Sequence, residues 1–231
     1  MTDFDDRVKP TADQSNLLIF LGVSIICIGI LWHIPFLKHI LDPFKLIVVA
    51  LHEVSHAIAG ICTGAHISSI EVTADQGGVT KLRGGISWIT LPAGYVGSAF
   101  FGALMIFSIF NTVALYVVSA FVCLCLLFVL YKASNWITRG LTLLFIAVIL
   151  LIWIFEPFYL KYFIGFLGVM SGSYALWDMV DDLIQHEKHE SDAAVFAKRY
   201  GGHSKCWGII WFVLGLAMII ASAILGLYIN K

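Results

Sequence analysis

Read as apolar and polar positions, the chain is a series of long apolar runs separated by short polar punctuation. The runs lie at about 16–34, 44–62, 90–110, 112–131, 137–155, 158–184 and 207–229. A helix that crosses a bilayer needs roughly 20 apolar residues, and each run supplies them. The prolines respect these limits. Pro35 follows the first run, and Pro43, Pro92 and Pro157 fall at the starts of the second, third and sixth. A missing N–H does no harm there. Asn111 alone separates the third and fourth runs, and Glu156–Pro157 makes a similarly tight turn between the fifth and sixth.

Two polar stretches have a pattern of their own. Residues 67–83 read ISSIEVTADQGGVTKLR, with two β-leaning runs flanking Asp75–Gln76–Gly77–Gly78. This predicts a short hairpin. Residues 185–205 contain Ser191, suited to an N-cap, Asp192, suited to a first helical turn, and Gly201, suited to a C-cap. They predict a short helix near the membrane surface.

Composition narrows the class. Hydrophobic residues make up 60% of the 231 positions and charged residues 13%. Soluble domains run at about 45–50% and about 25%. The formal net charge of -1 provides no basic field for nucleic acid. The predicted architecture is an all-α polytopic membrane protein of about six to seven transmembrane helices. A short β-hairpin follows the second span. Residues 1–15 form a polar tail, and 16–231 a single transmembrane domain. The tail lacks the basic n-region and small-residue cleavage site of a signal peptide, so the first span is expected to be retained. Cys27, Cys62, Cys123, Cys125 and Cys206 lie in or beside apolar runs with no CxxC spacing. They read as small apolar residues.

Positive charge predicts orientation. If every run crosses once, Arg7, Lys9, Lys81, Arg83, Lys132, Arg139, Lys188, Lys198, Arg199 and Lys205 share a side with the N-terminus. Lys38, Lys45, Lys161 and Lys231 face the other side. The N-terminus and the long loops are therefore expected in the cytosol, and the C-terminus opposite.

The second run contains LHEVSHAIAG. His52 and His56 are four apart, so on a helix they share one face and can reach one Zn²⁺. Glu53 sits beside the first ligand, placed to take a proton from water and pass it to a leaving amine. Such groups inside an apolar span are costly unless paired or ligated. A catalytic zinc site wants a third protein ligand. The sixth run ends in SGSYALWDMVDDLIQ, and Asp178 is the deepest of its acids. Spans two and six run in the same direction, and the depths of the histidines and Asp178 match. Asp178 is the expected third ligand and Asp182 the fallback. Asp181 and Asp182 otherwise read as headgroup-level acids. His186, His189 and Glu190 read as a solvated loop, and His33, His39 and His66 as interface or loop residues. Gly94, Ser98 and Gly102, spaced by four, predict close helix packing.

HEVSHAIAG in a span, with an acid at the inner end of a later one, resembles the site-2 protease family of intramembrane zinc metalloproteases. It is most similar to a compact branch without an inserted PDZ domain. GGVTKLRGG with LPAGYVGSAFFGAL, YALWDMVDDLI, and SDAAVFAKRYGG with CWGIIW extend the likeness over residues 50 to about 212. The resemblance implies zinc held by His52, His56 and Asp178, with Glu53 as general base. It implies regulated intramembrane proteolysis of a transmembrane protein substrate within the lipid bilayer. The chain departs from the Asn-Pro-x-x-Asp-Gly pattern of better-known members, since no Asn-Pro precedes Asp178. Two alternatives stay open: a non-catalytic pseudoprotease and a metal-binding membrane protein. The sequence does not set the oligomeric state.

Overall fold

The computed structural model describes residues 9–75, 77–184 and 191–229, and the side chains of all of these except 175–184. The chain is mostly helical. In order come α1 (Ala12–His33), a 3-10 turn (Leu37–Ile40), α2 (Asp42–Cys62), β1 (His66–Val72) and β2 (Gly78–Arg83). Then come α3 (Ser87–Ser108), α4 (Thr112–Lys132), α5 (Trp136–Phe155), α6 (Pro157–Ile184), α7 (Asp192–Tyr200) and α8 (Ser204–Ile229). Among the described residues six helices are long and apolar enough to cross a membrane: α1 to α5 and α8. Each predicted run is a helix, with ends shifted by a few residues. The five cysteines are unpaired.

Burial separates the helices by role. Residues Ile47 to Ala57 of α2 are buried without a break, as expected for a helix surrounded by protein. In α2, 72% of the spanning window is buried, against 17% in α8. The outer helices show apolar side chains such as Ile19, Ile26, Val117, Leu124, Val213 and Ile220 to their surroundings. That surface suits lipid rather than water.

Small residues bring the inner helices together. A Cβ on Gly102 of α3 would fall 2.6 Å from the Gly172 nitrogen of α6, and Ser171 Oγ donates to the Ser98 carbonyl at 2.8 Å. The Gly94–Ser98–Gly102 pattern therefore packs α3 against its neighbours, as its spacing predicts. Pro92 does not start α3. The helix begins at Ser87, so the proline lies inside it.

The hairpin forms where predicted. β1 and β2 pair antiparallel from His66↔Arg83 to Val72↔Gly78, with a register shift between Ile67 and Ser69. The junction of α4 and α5 fixes β1. Asn135 accepts from Thr138 N at 2.8 Å to cap α5, and its amide donates to the Val72 carbonyl at 2.8 Å. Thr138 Oγ1 accepts from Val72 N at 2.8 Å. Ile70 bridges in parallel to Ala133, and Ser134 N donates to the Ile70 carbonyl at 3.1 Å. These contacts occupy the outer edge of β1.

One expectation fails. The N-cap and first turn of α1 (Thr11, Asp13, Gln14) line a cavity of about 480 Å³ with Ile109, Asn111, Pro157 and Lys161. That end of the bundle lies one full length of α3 from the hairpin, so the start of α1 and the hairpin are at opposite ends. The far end of α8 is there too, because a Cβ on Gly226 would press on Phe110. The charge count assumed that each apolar run crosses once in strict alternation. The fold does not obey that at α1 and α2. Lys45, near the start of α2, is itself buried, with its ammonium 3.3 Å from the Trp32 ring centroid.

Candidate metal centre

The centre is built on α2. Its four-residue spacing places His52 and His56 on one face, with ring centroids 4.7 Å apart. His56 Nδ1 lies 2.6 Å from the Thr90 carbonyl of α3. A carbonyl only accepts, so Nδ1 donates to it, and Nε2 is the ring nitrogen left to face a metal. The rings of Tyr95 and Tyr174 flank His52 at 5.0 and 5.2 Å. His52 Nδ1 is buried with no hydrogen-bond partner among the described residues.

Both Nε2 atoms meet a carboxylate. Asp192, the first residue of α7, places Oδ2 2.9 Å from His52 Nε2 and 3.0 Å from His56 Nε2. The two nitrogens are 3.1 Å apart. Burial by itself would push the Asp192 carboxyl up. The attraction of His56 and the bonds from both imidazoles outweigh it and hold the group well below the usual carboxylate range. It is therefore an anion.

This donor set fits a divalent metal. Zinc takes two imidazole nitrogens and a carboxylate at about 2.0–2.2 Å each, which in a tetrahedron puts donors about 3.3 Å apart. The observed triangle is close to that and slightly tighter. A second observation agrees. A Cβ on Gly94 of α3 would land on His52 Nε2 and His56 Nε2. Glycine keeps the space in front of both nitrogens clear.

Glu53 lies beside the donors. One ligand atom each from His52, Glu53 and His56 fall within 4.8 Å of one another. Strand β2 orients its carboxylate. Side chains two apart on a strand share a face, so Gly78 and Thr80 both meet Glu53. Thr80 Oγ1 lies 2.6 Å from Glu53 Oε2 and 2.9 Å from the Glu53 main-chain carbonyl, and its one proton serves one of them at a time. A Cβ on Gly78 would collide with Glu53 Oε1 and approach Val49 Cγ1 to 2.7 Å.

A protein-family model described as Peptidase M50B-like matches residues 11–222. The chain belongs to that family, the site-2 proteases. No curated protein and no solved structure matches it. This M50B-like chain thus carries its HExxH histidines and glutamate on the most buried of the six candidate spans among the described residues. Of the residues singled out in the sequence, His52, Glu53 and His56 come together. Asp178 and Asp182 lie on α6 where side chains fall outside the described residues. His186, His189 and Glu190 are outside them altogether.

Sequence reasoning passed over Asp192, Thr80 and Gly78 as site residues. Asp192 reads locally as a helix N-terminal acid, and Ser191 does cap α7, accepting from Ala194 N at 3.3 Å. The available clue was the four-residue spacing to Phe196. It puts an acid and a large apolar residue on one face of a helix whose other residues are mostly polar or small.

Proposed function

We propose that this member of the M50B-like family is a zinc endopeptidase. It cuts membrane-embedded protein segments, with His52, His56 and Asp192 as ligands and Glu53 as general base. The observation that carries the reading is the convergence of Nε2, Nε2 and Oδ2 on one point beside Glu53, inside an apolar bundle. Bound zinc would supply Lewis acidity towards the scissile carbonyl and towards water.

The protein's residues do the rest. The Thr90 carbonyl accepts from His56 Nδ1 and leaves Nε2 to face the metal. Glu53 takes a proton from the attacking water and delivers it to the departing amine nitrogen. Thr80 restrains Glu53 Oε2 and limits the carboxylate's rotation. A helical substrate has its carbonyls hydrogen-bonded, so it must become extended before one can react. Among the described residues the α4–α5 junction occupies the outer edge of β1. The outer edge of β2, the strand whose Thr80 side chain meets Glu53, suits strand addition by such a segment.

The test uses purified protein in vesicles with a panel of single-span substrates carrying helix-breaking residues. The wild type should release products. Glu53→Gln should bind zinc fully and release none. Asp192→Ala should lose most of its zinc. Cleavage by Glu53→Gln rejects the base assignment. Full zinc in Asp192→Ala rejects the ligand, and Asp178→Ala is then the next variant. A zinc-loaded wild type that cuts nothing in the panel favours the pseudoprotease.

A further inference from the structure

The carboxylate at the centre does not sit on a membrane-spanning helix. It sits at the start of α7, nine residues long and outside the spans. A helix that short has little stability of its own and depends on packing. Its two buried side chains are Ala193 and Phe196. Phe196 is 1% exposed and lies in a socket of aromatic rings. Its ring centroid is 4.9 Å from Trp88 of α3, and 4.7 and 5.4 Å from Trp207 and Trp211 of α8. Trp211 lies 5.6 Å from Tyr95, which lies 5.0 Å from His52. Phe196 and Asp192 are four apart, on one face. The same face of α7 therefore presents the carboxylate to the imidazoles and the phenyl ring to the socket.

We propose that Phe196 is a positioning residue for metal binding, the anchor that holds Asp192 within reach of His52 and His56. The socket is assembled from α3 and α8. These helices also pack on each other, since a Cβ on Gly215 would fall 2.8 Å from Ala99 Cβ. Docking of α7 is thus a condition for a complete ligand set. This rests on the reading of Asp192 as a zinc ligand.

The experiment is a double-mutant cycle on detergent-purified full-length protein, with zinc affinity measured by chelator competition. Helical circular dichroism and monodispersity serve as the check on folding. Phe196→Ala should weaken zinc binding about 10- to 100-fold, the usual effect of losing a residue that orients a ligand. Phe196→Leu, which keeps an apolar anchor, should weaken it less. Adding Phe196→Ala to Asp192→Ala should weaken zinc no further, because there is no carboxylate left to position. Wild-type affinity in Phe196→Ala, alongside weakened Asp192→Ala, overturns the anchor and leaves the ligand standing. An equal loss from Phe196→Ala in both backgrounds also overturns it, since the effect is then general loosening. Wild-type affinity in Asp192→Ala overturns the ligand itself, and the anchor with it. If Phe196→Ala does not fold, the cycle run with Phe196→Leu decides by the same rule.

Discussion

Replacing Gly94 with alanine adds a single methyl group, and the structure says where it goes. The new Cβ would stand 2.5 Å from His56 Nε2 and nearer still to His52 Nε2. Ordinary contact between such atoms needs about 3.5 Å, so an imidazole or α3 itself must retreat by about 1 Å. Metal ligands tolerate displacements of about 0.2 Å. The required movement is several times that tolerance, so both nitrogens cannot stay in register with Asp192. Zinc affinity should fall at least about 100-fold, the upper range for a disturbed ligand shell. Helix propensity works the other way, since alanine in a helix interior is favoured over glycine by about 1 kcal/mol. A loss of zinc therefore cannot be put down to a weakened helix. Gly140→Ala is the control, because a Cβ there meets nothing within 4 Å. The assay is elemental analysis of zinc per protein after dialysis against buffered zinc, with both variants beside the wild type. Stoichiometric zinc at unchanged affinity in Gly94→Ala would show that the two Nε2 atoms are not the metal's donors, and the site would have to be redrawn.

Other expectations follow from single contacts. Thr80→Val removes the hydroxyl 2.6 Å from Glu53 Oε2. A hydrogen bond to a charged group contributes about 1.5–3 kcal/mol, so cleavage should slow about 10- to 100-fold with zinc content unchanged. Thr80→Ser should restore it, and a Thr80→Val protein as fast as wild type would remove Thr80 from the mechanism. Thr138→Val keeps the shape of a fully buried side chain but leaves Val72 N without its 2.8 Å acceptor. An orphaned buried donor costs about 1–3 kcal/mol. The midpoint of thermal unfolding should drop, or the hairpin should exchange its amide hydrogens faster. No change in either measurement would mean that β1 is held chiefly by its other bonds to the α4–α5 junction.

Much of this architecture is written locally. Bilayer-length apolar runs, with Asn111, Asn135 and Pro157 at their boundaries, set the helices, because length and caps are properties of neighbouring residues. Alternation around Asp75–Gly78 set the hairpin. The pair His52 and His56, with Glu53 between, was legible because four residues make one helical turn. Other features depended on packing between distant segments. Asp192 is 140 residues from His52, and its spacing to Phe196 marks a helix face without saying that the acid meets α2. Thr80 read as an ordinary strand residue and Gly78 as part of the turn, and only the packing of the hairpin on α2 brings both to Glu53. The end at which α1 begins was misjudged for the same reason. Charge counting treats every apolar run as an independent crossing, whereas burial of Leu17, Leu21 and Ile28 in the core fixes α1 by its contacts. Local periodicity thus determines which segments are helices and which face of α2 carries nitrogen donors. Which carboxylate meets those donors is a matter of long-range packing, because a ligand set closes only when separate elements share one core.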